Sequence, residues 1–268
     1  MKRSLKLLIS LAVHVRDVSS RAALRLLGRT PPPTCVVLYY HAVPTAQRQL
    51  FVRQLDTLLR LARPLPSDPN TQLEPGHHYA VVTFDDGFVS VKDNAAPELK
   101  RRQIPWTLFV PSGCLGQSPT WLRHAPAAAR QDRVMTAGEL RTLAQDPCVS
   151  IGSHTVTHAH LVEFGPDRAN GELARSKADL ETLLQRPVDQ FSYPFGARTP
   201  ALDQQARALG YRRLFSTQPD PAFQTPDEFV TGRVTVDPDI SPLEFRLKLL
   251  GAYRWLARHD HRNQKTES

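Results

Sequence analysis

Apolar runs rich in β-branched and aromatic residues alternate along the chain with stretches in which apolar residues recur at helical spacing. The runs that predict strands cover residues 35–40, 79–84, 105–110, 149–153, 189–193, 212–216 and 229–236. The helical stretches cover residues 51–62, 90–102, 136–145, 167–184, 199–209 and 242–258. Such alternation is typical of βαβ units around a parallel sheet. It favours an α/β fold, with a closed or nearly closed (β/α) barrel of about seven strands rather than a three-layer sandwich.

The first 29 residues follow a different pattern. An apolar segment over residues 5–15 is shorter than the roughly 20 residues that span a bilayer. Polar residues recur every three or four positions and form one stripe on an otherwise apolar helix: Lys6, Ser10, His14, Asp17, Arg21 and Arg25. This pattern favours a peripheral helix lying in the plane of an anionic membrane surface, in a bacterial-type cell. A helix packed on the domain and a signal sequence of unusual form are the alternatives.

Composition narrows the class of protein. A hydrophobic share of 41% and a charged share of 22% exclude a disordered chain and a polytopic membrane protein. The net charge of +8 is not concentrated in a basic run, and no nucleic-acid motif accompanies it, so nucleic acid is not an expected partner. We expect a basic leader helix over residues 1–29, a single domain over residues 30–258 and a polar tail over residues 259–268.

The first candidate for chemistry is a pair of carboxylates at the end of a strand. The apolar residues 81–84 run directly into Asp85, Asp86 and Gly87. Adjacent carboxylates raise each other's pKa unless a cation neutralises one of them, so a bound metal would explain the pair. An Asp-Gly turn with a helix-capping aspartate is the structural alternative.

A group of histidines follows a later strand. His154, His158 and His160 come directly after the apolar run 149–153. A helical turn would put the first two imidazoles on one face, as a divalent metal needs. With Asp86 they would supply three protein ligands and leave one coordination position open for water or substrate, as in catalytic zinc sites.

A third segment follows the strand predicted over residues 189–193. Tyr193, Pro194, Phe195 and Gly196 predict a tight, exposed loop. Such a loop can present a backbone N–H to an oxyanion and an aromatic wall to a ring. Taken alone, the segment would be read as an ordinary turn between a strand and a helix.

In this order, the motifs T-F-D-D-G, H-T-x-x-H and Y-P-F-G resemble the polysaccharide deacetylase family (NodB homology domain, carbohydrate esterase family 4), over roughly residues 34–240. The resemblance implies a distorted (β/α) barrel that removes acetyl groups from sugars with a divalent metal, usually Zn²⁺. It also implies Asp85 as the general base, the N–H of Phe195 as an oxyanion donor, and three metal ligands: Asp86, His154 and His158.

The chain departs from the family pattern at two positions. Ser192 stands where many members have an arginine two residues before the proline, and no histidine occurs in the last strand region. His41, at the end of the first predicted strand, is our candidate for the general acid, with a residue that orients an aspartate as the alternative. Arg233 is a candidate to orient Asp85 in place of the absent arginine.

These observations predict a metal-dependent hydrolase that removes N-acetyl or related acyl groups from an amino-sugar polysaccharide or a lipid-linked glycan. Two other functions stay open. The altered third motif and the missing late histidine allow a non-catalytic glycan-binding or assembly protein. Two histidines and a carboxylate also form the site of ferrous oxygenases, although the α/β pattern and the free Asp85 favour hydrolysis.

Overall fold

The computed structural model describes residues 2–67, 73–123 and 131–257. Within these ranges one sheet contains nine strands: β1 (Thr34–Tyr40), β2 (Arg63–Pro64), β3 (His78–Phe84), β4 (Trp106–Val110), β5 (Val149–Ser153), β6 (Gln190–Ser192), β7 (Arg213–Phe215), β8 (Val230–Thr231) and β9 (Val234–Thr235). The α-helices of the same ranges are α1 (Arg3–Leu26), α2 (Arg48–Leu61), α3 (Ala96–Arg101), α4 (Ala137–Leu143), α5 (Pro166–Leu184), α6 (Pro200–Ala208) and α7 (Pro242–Leu249).

All paired strands are parallel, in the order β8-β7-β6-β5-β4-β3-β1-β9, with β2 beside β3. β8 and β9 lie at opposite ends of this order, although only Gly232 and Arg233 separate them in the chain. One short segment therefore reaches both ends of the sheet, which curls into a distorted barrel. A Cβ on residue 232 would come within 2.3 Å of the carbonyl oxygen of Gln218, so this crossing requires glycine.

The two faces of the sheet contribute to different parts of the core. Leu38 and Tyr40 of β1 pack outward with Phe51 of α2. Val37, directly before Leu38, points to the other face and packs inward with Phe109 of β4. Because both faces are covered, the strands are buried almost throughout, as expected for a parallel sheet.

Three boundaries differ from the prediction. The region predicted as one strand over residues 229–236 is divided into β8 and β9, because the chain changes its neighbour there from β7 to β1. β2 lies between the predicted helix over residues 51–62 and the predicted strand over residues 79–84, and its Pro64 pairs only with β3, at a position where a missing N–H is tolerated. Helix α7 ends at Leu249 rather than at residue 258, because Gly251 adopts a left-handed conformation with φ of 72°.

Helix α1 packs against α7 and the turn that follows it, through the polar stripe and through the partly buried Leu7 and Val13. The buried Ser10 accepts a hydrogen bond at Oγ from Nε1 of Trp255 (3.0 Å). Arg254 donates to Oδ1 of Asp17 (2.7 Å). The polar stripe thus faces the domain around Ser10 and Asp17, and a location of the helix at a membrane surface stays a prediction. No helix in the described part of the chain is long and apolar enough to cross a membrane.

Candidate metal centre and active site

The loops after β1, β3, β5, β6 and β7 converge on one cavity at the carboxyl edge of the sheet, as expected for a (β/α) barrel. Its volume is about 210 Å³. The predicted site residues line it, except for Pro194 and Gly196, which belong to the same loop as Phe195. The full lining is Tyr39, His41, Asp85, Asp86, Trp121, Leu122, His154, His158, Tyr193, Phe195 and Thr217.

The three predicted metal ligands lie together and are buried. One potential ligand atom from each of Asp86, His154 and His158 lies within 4.8 Å of the others. Oδ1 of Asp86 is 3.1 Å from Nε2 of His158 and 3.6 Å from Nε2 of His154. This oxygen is buried and receives no well-aligned hydrogen bond. A carboxylate oxygen left without a partner opposite two imidazole nitrogens fits a divalent cation.

The ionisation of these groups also suits a metal. Burial raises the pKa of Asp86, but contact with His158 outweighs it and leaves the pKa well below its usual range. Burial lowers the pKa of His154 to about 4, so this imidazole is neutral at ordinary pH. Its Nδ1 donates to the carbonyl oxygen of Ser192 (2.7 Å), which leaves Nε2 with a free lone pair towards the cavity.

The two histidines meet through an irregular loop, so the prediction of a helical turn is wrong. Thr155 and His158 have left-handed φ angles of 65° and 57°, which no α-helix accommodates. The hydroxyl of Thr155 accepts the N–H of Ala159 (3.0 Å). Glu172 of α5 accepts the N–H of Val156 (2.8 Å). Side chains therefore satisfy the backbone groups that a helix would have paired internally.

Backbone strain is concentrated at this site. Seven residues other than glycine in the described part of the chain have a positive φ, and four of them belong to the site loops: Asp86, Thr155, His158 and Phe195. Such conformations persist only where the surrounding structure enforces them, and they occur preferentially at functional sites. The loops that carry the candidate ligands are thus held in one geometry.

Asp85 lies beside the candidate ligands in a different environment. Arg233 is fully buried and donates Nη1 to Oδ1 and Nη2 to Oδ2 of Asp85, both at 2.7 Å. Nη2 also donates to Oγ of Ser192 (2.7 Å). Burial raises the pKa of Asp85, but the positive charge of Arg233 outweighs it and lowers the pKa below its usual value. Arg233, in the segment between β8 and β9, thus places its guanidinium beside Asp85. It also contacts Ser192, which stands where many family members have an arginine.

His41 lies at the exposed rim of the cavity. Its ring packs edge-on against Tyr39, with ring centroids 5.5 Å apart. No hydrogen bond joins His41 to Asp85 or Asp86 among the described residues. Its position leaves it accessible to a substrate, and its role as general acid stays a prediction.

The third motif forms the opposite wall. The hydroxyl of the buried Tyr193 donates to Oδ1 of Asp203 (2.8 Å), so this side chain anchors the loop, and its predicted contact with a substrate stays a prediction. A Cβ at Gly196 would lie within 2 Å of Oγ1 of Thr217, so the loop accepts only glycine there. Phe195 remains 60% exposed, and its ring contacts His158 edge-on (4.9 Å between centroids).

Trp121 is a site residue that sequence reasoning does not find. Its Nε1 donates to Oδ2 of Asp86 (3.2 Å), and its ring stacks on that of His158 with centroids 4.3 Å apart. It touches two candidate ligands at once and fixes their orientation. No local pattern marks this tryptophan, which lies in a long loop far from the motifs.

Comparison with known proteins establishes the family. A profile described as polysaccharide deacetylase matches residues 72–214, more than half of the chain. The chain belongs to the polysaccharide deacetylase family.

Individual relatives agree with this assignment. The chain is 27% identical over 180 residues to the family relative YxkH of Bacillus subtilis. The aligned region covers 67% of this chain and 57% of YxkH. It therefore spans little more than half of that relative's length.

Among solved structures, IcaB from Ammonifex degensii is similar with a TM-score of 0.68 and 24% identity, over 83% of this chain and 98% of that one. The deacetylase PplD of Streptococcus pyogenes is similar with a TM-score of 0.61 and 22% identity, over 82% and 97%. The predicted α/β fold with a distorted (β/α) barrel is confirmed.

Proposed function

We propose that the chain is a metal-dependent deacylase that removes acetyl or related acyl groups from an amino sugar of a polysaccharide or a lipid-linked glycan. One observation carries the proposal. A buried carboxylate oxygen of Asp86 without a hydrogen bond faces the Nε2 atoms of His154 and His158, next to an ionised Asp85 that belongs to no ligand set. Two nitrogens and one carboxylate oxygen are a donor set that suits Zn²⁺.

The roles of the residues follow from their positions. When bound, the cation polarises the acyl carbonyl and lowers the pKa of a water molecule. Asp85, held by Arg233, accepts a proton from the attacking water as the new C–O bond forms. The backbone N–H of Phe195 shares the negative charge that develops on the carbonyl oxygen. The C–N bond then breaks, His41 protonates the amine, and a carboxylate is released.

The non-catalytic alternative depends on the altered third motif and on the missing late histidine. The first ground is weakened because Arg233 donates to both carboxylate oxygens of Asp85 and so supplies a cation beside it. The ferrous oxygenase alternative accords poorly with a parallel (β/α) barrel, because such sites more often lie on an all-β scaffold. Binding of glycan without turnover at saturating zinc would favour the non-catalytic alternative. Oxygen consumption with ferrous iron would favour the oxygenase alternative.

The same proposal includes a peripheral location at an anionic membrane surface, through residues 1–29. Its support is the basic, apolar character of this segment and the net charge of +8.

The test is release of acetate from a panel of acetylated oligosaccharides and lipid-linked sugars, with and without a chelator. We expect Asp85→Asn to keep the metal and lose acetate release by about a hundredfold or more, since it removes only the base. His154→Ala should lose both. His77→Ala, at the other edge of the sheet, is the matched control and should keep both. Undiminished acetate release in Asp85→Asn and His154→Ala would contradict the proposal.

A further inference from the structure

Helix α1 exposes the face that the hydrophobic effect would normally bury. Its stripe of polar residues is turned towards the barrel, where Ser10 is completely buried. The opposite face carries large apolar side chains that are 40–64% exposed: Leu5, Leu8, Leu11, Val15 and Val18. A surface helix ordinarily has the reverse arrangement, with its apolar stripe on the core. An apolar stripe of this length, left in water, marks an interaction surface.

We propose that this outward apolar face (Leu5, Leu8, Leu11, Val15 and Val18) binds the surface of an anionic bilayer, while the polar stripe keeps the barrel attached to the helix. The inference rests on the membrane location in the proposed function and is independent of the deacylase chemistry. It specifies which face of α1 enters the lipid and how the domain is held there.

Charge favours an anionic bilayer over a second copy of the chain. The exposed residues around the apolar face are basic at both ends and at its edge, and include Lys2, Arg16, Arg25 and Arg29. The single acidic residue of α1, Asp17, is paired with Arg254. Two copies meeting through this face would bring like charges together, whereas anionic headgroups would neutralise them.

The small area of the apolar face also favours a bilayer over a second copy of the chain. From Leu5 to Val18 the face is about 20 Å long at 1.5 Å per residue, and a helix is about 10 Å wide. The face therefore offers on the order of 200 Å², well below the roughly 800 Å² per partner of a stable protein–protein interface. An in-plane helix needs no such area, because its apolar side chains enter the boundary between headgroups and acyl chains.

The position of α1 places the active site close to that surface. Arg3, at the start of the helix, donates to Glu244 in the first turn of α7 (2.9 Å). The same end of α1 lines a cavity of about 380 Å³ together with Thr235 and Thr217. Thr217 also lines the candidate active site. A bilayer bound through α1 would thus hold the catalytic opening beside the lipid surface, where a glycan attached to a lipid is presented.

The experiment is flotation of the full chain with vesicles of phosphatidylcholine alone or mixed with phosphatidylglycerol. We expect the wild type to float with the mixed vesicles. The double variant Leu8→Glu/Val15→Glu should bind them at least about tenfold more weakly, because two apolar contacts are replaced by charges that the headgroups repel. The matched control is Leu50→Glu/Leu59→Glu on α2, whose leucines are 37% and 43% exposed, and it should bind like the wild type.

Acetate release from a soluble acetylated oligosaccharide is measured on the same samples. It should be equal in all three proteins, so a failure of membrane binding and a failure of the deacylase proposal are seen separately. The inference is overturned if the wild type floats with neither vesicle, or if the α1 variant binds as well as the wild type. It is also overturned if the wild type is a dimer in solution that the α1 substitutions dissociate.

Discussion

Asp85 and Asp86 are adjacent in the chain and almost equally buried, yet their carboxylates meet opposite surroundings. Both oxygens of Asp85 receive hydrogen bonds from Arg233, a cation that is part of the protein. Asp86 has one oxygen bound by Trp121 and one without a well-aligned partner, directed at two imidazoles. Asp85 is thus neutralised by a cation of the protein itself, and one oxygen of Asp86 is left without such a partner. The contrast agrees with the roles that we propose for the two carboxylates, a proton acceptor and a metal ligand.

The largest effect should come from removing the charge of Asp86. We expect Asp86→Asn to lower metal affinity by more than about a hundredfold, since a ligand contributes more than the residues that orient it. Acetate release should fall in proportion to metal occupancy, measured by equilibrium dialysis and elemental analysis. Asp85→Asn is the matched comparison and should bind metal like the wild type. Equal metal loss in both variants would remove the distinction between the two carboxylates.

The next effect concerns the cation of the protein itself. Arg233→Met should lower the free energy of unfolding by about 3–5 kcal/mol, because it leaves the buried charge of Asp85 without a partner. Denaturant titration measures this change, and Arg246→Met, an exposed arginine on α7, is the control that should cost little. A loss no larger than that of the control would show that Asp85 does not depend on Arg233.

The same variant has a distinctive pH dependence. In the wild type the pKa of Asp85 is lowered, so its stabilising contribution is complete above the pKa of an unfolded aspartate, about 3.9, and is lost as the pH falls through the folded value. Without the guanidinium, burial raises the pKa of Asp85. Protonation of Asp85 then removes the unpaired buried charge as the pH falls, and the variant loses less stability. The difference in unfolding free energy between wild type and Arg233→Met should therefore shrink from neutral pH towards about pH 4. A constant difference would place the loss in packing rather than in charge.

The smallest effect tests the hydrogen bond on the other carboxylate. Trp121→Phe keeps a ring against His158 and removes the N–H that binds Asp86, so we expect metal affinity to fall about tenfold. Trp255→Phe removes a similar N–H from Ser10, outside the site, and should leave metal affinity unchanged. Equal affinity in the two variants would show that the indole does not orient the ligand.

The predicted site residues could be found from sequence because of a general property of parallel sheets. Asp86, His154 and Phe195 each follow a strand, and the carboxyl ends of parallel strands meet at one edge. Their convergence therefore needs only the strand pattern. The geometry within the loops is not predictable in this way, since the left-handed backbone at His158 depends on contacts from distant residues such as Glu172.

Two features of the structure could not be predicted from the sequence, for different reasons. Trp121 reaches Asp86 through a loop whose path is set by tertiary packing, and no spacing in the sequence encodes that path. The orientation of α1 is hidden because hydrophobic periodicity gives the faces of a helix but not which face the protein covers. In the polar stripe, Ser10 accepts a hydrogen bond from Trp255, and Asp17 accepts one from Arg254. Both donors lie more than 200 residues away in the chain.

The short crossing between β8 and β9 has a consequence for how the chain acquires its chemistry. Arg233 lies in that crossing, 148 positions after Asp85. During synthesis the aspartate is therefore made long before its partner. Docking of the final segment seals the sheet and sets the ionisation of the proposed base in one event. Because the segment that completes the sheet also carries Arg233, the contact that sets the ionisation of Asp85 forms only when the fold is completed.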